Sequence, residues 1–425
     1  MDFIKLACAG VFVASVCGAQ NVTISGTVKN GAGVGITGAV VKLEKGRQTA
    51  TTGAGGSFTL SGPPVAIQRK IPAVQPQQLH ASLGNGYLLI NGGGESPLEI
   101  IAFNVRGEIA HMPIQAGVRS IPLPCKEAGV YVYAIRSGGN EILLRSCSVN
   151  ERRIGSAEGP FPRPLAKQAQ SAAAINDVII VTKSGYLDYR VMVTNSDTSG
   201  IGITMLASAG TVADIDGNVY QTVKIGNQEW TVQNLRTTKL NDGTPIPNVK
   251  DSLAWYLSPV PAYCTYDTTA NVDTIRKYGF LYNWFAVGSG KLAPAGWHVP
   301  ADSEWDTLQD YLIAHGYNWD GTTADNKIAK SMAAKAYWNV SSAAQGLIGN
   351  DLTLNTASGF SAIPAGYRMY YSIFVNKGFV GYWWTTTELD GAAFAKHRFL
   401  SFDAELLDMV EVWEKSGFSV RLVKD

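Results

Sequence analysis

No tryptophan occurs before Trp230, yet the 425-residue chain has ten of them from there on. Large aromatics dominate whichever core contains them, so the two halves are expected to have differently built cores, with a boundary near Ala209. Charge is also scarce. Only 16% of residues are charged, and 35 Lys+Arg against 34 Asp+Glu leave a net charge of +1. That balance excludes a global field that would recruit nucleic acid or an anionic membrane surface. No run beyond the N-terminus is long and apolar enough for a transmembrane helix, so no membrane span is expected. The five histidines, at positions 80, 111, 298, 315 and 397, are scattered, and no cysteine pair has zinc-site or redox-motif spacing. Neither a metal nor a cofactor is therefore expected. What the chain has in quantity is glycine, 45 residues, in a sequence that is 46% apolar. That mixture argues for turn-rich β structure over helical bundles or disorder, and the length for about two or three domains.

Residues 1–19 read as a secretory signal. Lys5 precedes the apolar run Leu6–Val16, and Cys17-Gly18-Ala19 offers small residues for cleavage before Gln20. Lipidation at Cys17 is the competing reading, disfavoured by bulky Val16. An exported or cell-surface protein is the expectation. Cys125, Cys147 and Cys264 then remain, and an oxidising compartment permits a disulfide. Cys125 and Cys147 flank an expected hairpin and are the candidate pair.

From Asn21 the pattern alternates in short runs. Val22–Val28, Ala39–Leu43 and Gly56–Leu60 are separated by Gly-rich turns, as in antiparallel strands of a sandwich. With the Gly-Ser-Phe strand at Gly56-Ser57-Phe58, these residues resemble the carboxypeptidase regulatory-like domain, an immunoglobulin-like β-sandwich. The resemblance implies a closing strand and a Gly-Tyr turn, found only at Val178–Thr182 and Gly185-Tyr186. The expected sandwich is thus 20–62 plus 175–208, with a nested β-sandwich at 63–151 and a linker at 152–174. Loop tips accept such insertions because closure entropy grows slowly with length. The nested piece, with strands at Leu98–Asn104, Val118–Leu123, Gly129–Ala134 and Glu141–Ser146, weakly resembles the type IX sorting sandwich and is expected to act as a spacer.

The C-terminal half, 210–425, is expected to be α+β. A hairpin turns at Gly226-Asn227. Helices are expected at Tyr278–Val287, at Ser303–His315 with Asp302 as its cap, and at Asp325–Lys335. Ile225–Trp230, Asn234-Leu235, Tyr282-Asn283-Trp284, Pro294–Pro300, Glu304-Trp305, Gly359–Arg368, Trp383–Glu388 and Gly417–Arg421 form an ordered set. Together they resemble the Fibrobacter succinogenes major paralogous domain. The resemblance implies a C-type-lectin-like fold beside the formylglycine-generating enzymes, in surface proteins without an assigned activity. It also marks Trp230, Asn234, Trp297, His298, Trp305, Arg368, Trp384, Glu388 and Arg421 as structural motif residues. The family often has cysteine where this chain has Ala293 and Leu422, which implies a missing disulfide.

Several motifs are weighed against plainer readings. Gly33–Gly38 spells a dinucleotide pattern but precedes a strand, so it is a turn. Asp214-Ile215-Asp216-Gly217-Asn218 resembles a calcium turn, yet no downstream Glu completes it and a hairpin turn is preferred. His298 is expected to brace the loop before a helix. Trp384, Glu388, Arg368 and Arg421 are expected to form a buried structural network. Tyr367, Tyr370, Tyr371 and Trp383 are the candidate aromatic platform for a glycan, with core packing as the alternative. A formylglycine-type oxidase would need a reactive cysteine pair that Cys264 alone does not supply. The resulting expectation is a non-catalytic binding or adhesion protein with polysaccharide as ligand class. A structural scaffold is the first alternative, and an enzyme on the same fold the second.

Overall fold

The computed structural model describes residues 21–63, 174–341, 344–370, 373–389 and 393–425, together with the backbone of the strands between His80 and Ile154. The expected signal peptide, Cys125 and Tyr371 lie outside the described residues. Two compact units are present, one of Ala66–Ala169 and the other of Met1–Val65 with Gln170–Asp425.

In the larger unit, alternation of apolar and polar residues builds a sandwich. Its three-stranded sheet runs in the order Asp197–Met205, Val22–Asn30, Ser57–Gly62, and its four-stranded sheet in the order Tyr189–Asn195, Ala174–Thr182, Val40–Leu43, Thr49–Thr51. Val22–Asn30 pairs in parallel with Asp197–Met205 and antiparallel with Ser57–Gly62. Every second residue turns inward. Ile24, Leu60 and Ile203 from one sheet meet Val41, Ile179 and Val193 from the other in one core. Gly56 must be glycine: its φ is +80°, and a Cβ there would lie 2.0 Å from the Val28 carbonyl oxygen.

The smaller unit has a five-stranded sheet ordered Arg152–Ile154, Asn140–Val149, Gly129–Ser137, Leu98–Asn104, Ile109–Ile114, and a three-stranded sheet of His80–Gly84, Tyr87–Asn91 and Ser120–Pro122. Residues 152–154, expected as the start of a linker, form an edge strand instead. Cys147 pairs with Val130 and Ile154 in its backbone ladder.

Residues 210–425 combine a five-stranded sheet (Gly210–Ala213, Val219–Ile225, Gln228–Thr231, Val423–Lys424, Trp297–His298) with a three-stranded one (Val380–Glu388, Phe394–Ser401, Asp408–Trp413). The hairpin turns at Gly226, φ +61°. The helix Asp302–Ala314 buries Trp305, Leu308 and Leu312 along one stripe and stops before Gly316. Its start differs from expectation. Asp302 is not the cap; the Glu304 carboxylate reaches back to accept the Ala301 N–H at 2.8 Å, while Asp302 accepts Arg398 Nε at 2.6 Å and Lys396 Nζ at 3.1 Å. The helix expected over Tyr278–Val287 is two short ones, Val272–Tyr278 and Trp284–Gly288. Gly279, at φ +75°, ends the first, and Asn283 caps the second by accepting the Ala286 N–H. Between them Leu281–Tyr282 pairs with Tyr263–Cys264. The helix expected over Asp325–Lys335 shrinks to the single turn Ala329–Met332. Ile328 and Met332 are buried as their spacing implies; Asp325, at φ +60°, breaks the run before them.

On either side of Ala209 the cores differ as expected, aliphatic in the sandwich and tryptophan-rich in the tail, and the two pack against each other. Leu187 is buried in the same cluster as Val223, Trp230, Trp305 and Trp383, and Met192 and Leu206 pack against it. Val178 and Ile180, on the outer face of the sandwich, pack on Ala336. The sandwich keeps an aliphatic core of its own and meets the tail through these side chains.

Candidate functional site

Of the residues expected to form an aromatic platform, the three described ones, Tyr367, Tyr370 and Trp383, have different surroundings. Trp383 is wholly buried, packed on Trp305 and Phe360, with its Nε1 donating to Asn234 Oδ1 at 2.9 Å. Its strand is covered on both faces. Adjacent Trp383 and Trp384 point opposite ways, each into a separate core cluster. Tyr367 is half-buried against Tyr382 and Phe418, with ring centroids at 4.7 and 5.2 Å. Trp383 thus drops out of the platform because a strand covered on both sides has no solvent face.

Tyr370 belongs to a different row of rings. Its centroid is 6.4 Å from Tyr256 and 5.9 Å from Trp413, and Trp413 lies 4.6 Å from Phe394. Trp413 and Tyr256 are 43% and 44% exposed, so this row lies on the surface. Lys415 Nζ sits 5.0 Å from the Tyr256 ring centroid, a cation–π contact at its rim. Sequence reading missed Tyr256, Phe394 and Trp413. A signal for Tyr256 was present: Leu253, Tyr256 and Leu257 fall on one face of a helical turn and Trp255 on the other, more apolar surface than one buried face can use.

The row rests on a rigid support. The helix Ser252–Leu257 begins at Asp251, whose carboxylate accepts the Ala254 N–H at 2.8 Å. Arg368, wholly buried, donates to the carbonyls of Val249, Lys250 and Asp251 at 2.5, 3.1 and 3.2 Å, and its guanidinium lies 4.4 Å from the Trp255 ring centroid. Trp255 Nε1 donates to the Lys415 carbonyl at 2.7 Å, tying the helix to the segment that carries Trp413. Cys264 is a free, buried thiol in the small cluster beside Trp255. Burial pushes that thiol up to about 11, although Arg368 pulls the other way, so it stays an unreactive thiol.

The other motif residues have structural partners, but not as one network. Arg421 is wholly buried and donates to Asn234 Oδ1 at 2.8 Å and to the carbonyls of Thr231, Phe360 and Ser361 at 2.7, 3.1 and 3.3 Å. Trp384 Nε1 donates to the Tyr282 carbonyl at 2.7 Å. Trp230 and Trp305 pack at 4.8 Å. Glu388 is exposed and joins neither arginine, because its strand emerges from the core at its end. Glu388 lies instead beside Glu414, whose carboxyl is raised by burial and by Glu388. His298 bridges Glu304 (Nε2 to Oε1, 2.8 Å) and Asp425 (Nδ1 to Oδ1, 2.6 Å) at the end of Trp297–His298. Burial lowers its affinity for a proton, but the two carboxylates outweigh that and raise it.

The Asp214–Asn218 turn is closed by its own hydrogen bonds. Asp214 accepts from the backbone N–H of Asp216 and Asn218, from Asn218 Nδ2 and from the Tyr220 hydroxyl. Asp216 takes the Thr238 N–H and hydroxyl and pairs with Lys239. No group of three or more His, Cys, Asp or Glu positioned for a metal ion occurs among the described residues, nor a helix long and apolar enough to cross a membrane.

His397 is expected to make the tail sensitive to acid. Burial among Tyr382, Trp384 and Phe418 lowers the imidazole to about 3, despite its hydrogen bond with the Val410 backbone. Nδ1 has no partner. The unfolded chain takes up this proton near pH 6.5 and the folded one only near 3, so the stability it contributes is complete above 6.5 and declines as pH falls between those values. His397→Phe, which keeps the ring stack, is expected to shift acid unfolding to lower pH, measured by circular dichroism along a pH titration. An unchanged midpoint would show that other groups govern acid unfolding.

Residues 223–424 match the family model of the Fibrobacter succinogenes major domain. All the ordered motifs read from the sequence fall within that segment. No curated protein matches the chain.

Proposed function

We propose, from the premise that residues 223–424 form a Fibrobacter succinogenes major domain, that this is an exported surface protein that binds polysaccharide without catalysing a reaction. The observation that carries this reading is the surface row Phe394, Trp413, Tyr370 and Tyr256 on a braced support, with Trp413 and Tyr256 exposed and the other two half-buried. Sugar rings present C–H faces that pack against flat aromatic surfaces, and a row of such surfaces matches an extended glycan. A rigid row also loses little conformational freedom on binding. The lectin-like resemblance of the tail agrees with this reading. The absence of catalysis is supported by how His298, Asp214 and Asp216 are engaged in local structural contacts, and export by the apolar N-terminal run.

The test is affinity electrophoresis of the full chain in gels containing neutral soluble glucan, xylan or mannan. Retardation by at least one is expected. Each ring contributes about 1–2 kcal/mol, so Trp413→Ala or Tyr256→Ala should weaken binding about tenfold or more. Absence of retardation in every gel, or variants that bind as well as the parent, would refute the reading.

One observation favours a scaffold role instead. Leu253 and Leu257, beside Tyr256, are 63% and 59% exposed, an apolar face suited to another protein surface. Light scattering that shows concentration-dependent self-association, abolished by Leu253→Asp, would support that alternative.

A further inference from the structure

A second site lies where the sandwich meets the tail, formed by groups far apart in the chain. The strand Val40–Leu43 and the turn after it form one wall, the helix Val272–Tyr278 another, and loops carrying Tyr337 and Ser361 complete it. They border an open cleft of about 490 Å³, within the range of small-molecule sites. Five of its lining residues are Lys or Arg and two are Asp or Glu, an excess of positive charge in a chain that is otherwise almost neutral. A cleft between low-dielectric walls concentrates such a field.

One of the two carboxylates, Glu44, is already engaged. Glu44 accepts the Tyr337 hydroxyl at 2.9 Å and pairs with Lys277 Nζ at 2.8 Å, and Lys277 sits 4.4 Å from the Tyr337 ring centroid. These contacts clamp sandwich to tail and set the width of the cleft. Arg190 is held by Asp188 at 3.1 Å and Lys45 by the Asn176 carbonyl at 2.6 Å. Lys42 and Arg276, both exposed, have no partner among the described residues. The backbone is strained at the same place: Tyr337 has φ +75° and Ser361 φ +56°, conformations that bulky or branched residues rarely hold and that cluster at functional sites.

We propose that this cleft binds an acidic sugar unit, its carboxylate or sulfate held by Lys42 and Arg276. Charge-assisted hydrogen bonds to an oxyanion are the strong contacts available to two unpaired cations. The volume leaves room for a sugar ring beside its charged group. Ile180, Val232 and Ile363 line the cavity beside the polar groups, which suits a sugar with hydroxyls on its rim and C–H bonds on its face. The site is separate from the aromatic row and does not depend on it.

Isothermal titration calorimetry of the full chain with sodium glucuronate, glucose 6-sulfate, glucose and inorganic phosphate tests this assignment. One or both acidic sugars should bind at least tenfold more tightly than glucose, with affinity that falls as salt rises; which binds better distinguishes carboxylate from sulfate. The double variant Lys42→Ala/Arg276→Ala should lose at least tenfold at an unchanged melting temperature, because neither side chain has a partner among the described residues. Trp413→Ala should bind acidic sugars as the parent does. Failure of both acidic sugars to bind overturns the proposal, as does undiminished binding by the double variant. Phosphate binding as tightly as the sugars overturns the sugar assignment.

Discussion

Replacing Arg421 by methionine is expected to unfold the tail domain. Its guanidinium carries a full charge into the interior with neutral acceptors around it, and burial lowers its pKa to about 9. Three backbone carbonyls and Asn234 Oδ1 converge on it, from the strand Gln228–Thr231, the Phe360-Ser361 loop and the segment after Thr231. Methionine fills much of the volume and supplies no donor. Each carbonyl left unpaired costs about 1–3 kcal/mol, against a total stability of about 5–15 kcal/mol for an ordinary domain. Asn234 would keep Trp383 Nε1 as a donor but lose its second one. Arg421→Lys keeps the charge without the planar fork and should fall between the two. Thermal unfolding by circular dichroism is the measurement. An Arg421→Met protein that melts within a few degrees of the parent would show that the carbonyls find water or other donors, and the account of this core would be wrong.

Separating the tail from the sandwich is expected to have the second-largest effect. Residues 210–425 expressed alone lose Leu187 and Leu206 from the cluster around Val223 and Trp230. The hole opens beside Gly359, where an added Cβ would meet Val223, Leu187 and Leu206 at 2.9, 3.3 and 3.3 Å. Taking one buried leucine out of a core costs about 2–5 kcal/mol. The cut also removes Glu44 from Tyr337 and Lys277, leaving a half-buried phenol and ammonium without their shared acceptor. The fragment should melt more than 10 °C below the full chain and bind a hydrophobic dye. Leu187→Asp in the full chain should reproduce much of that loss. A fragment as stable as the parent would mean that the contact between sandwich and tail contributes little, and that the cleft beside it has no rigid walls.

The sequence by itself determined the features that depend on near neighbours. Alternation at Val22–Val28 and Gly56–Leu60 specified strands, because side chains on a strand face opposite sides and one side must be buried. Gly226-Asn227 specified a hairpin turn, and the Trp305, Leu308, Leu312 spacing a helix ended by Gly316. The tail motifs were recognisable as a set because their residues recur in order. Only the tertiary structure decided which surfaces meet. Trp383 and Glu388 stand on one strand, yet one is sealed in the core and the other is in water, since cover on each face comes from distant segments. Tyr256, Tyr370, Phe394 and Trp413 come from four separate stretches of chain and form a row through packing alone. Lys42 and Arg276 share a cleft because Leu187 and Leu206 draw the sandwich onto the tail. Burial and electrostatic field depend on distance in space, and that distance is set when the chain closes on itself.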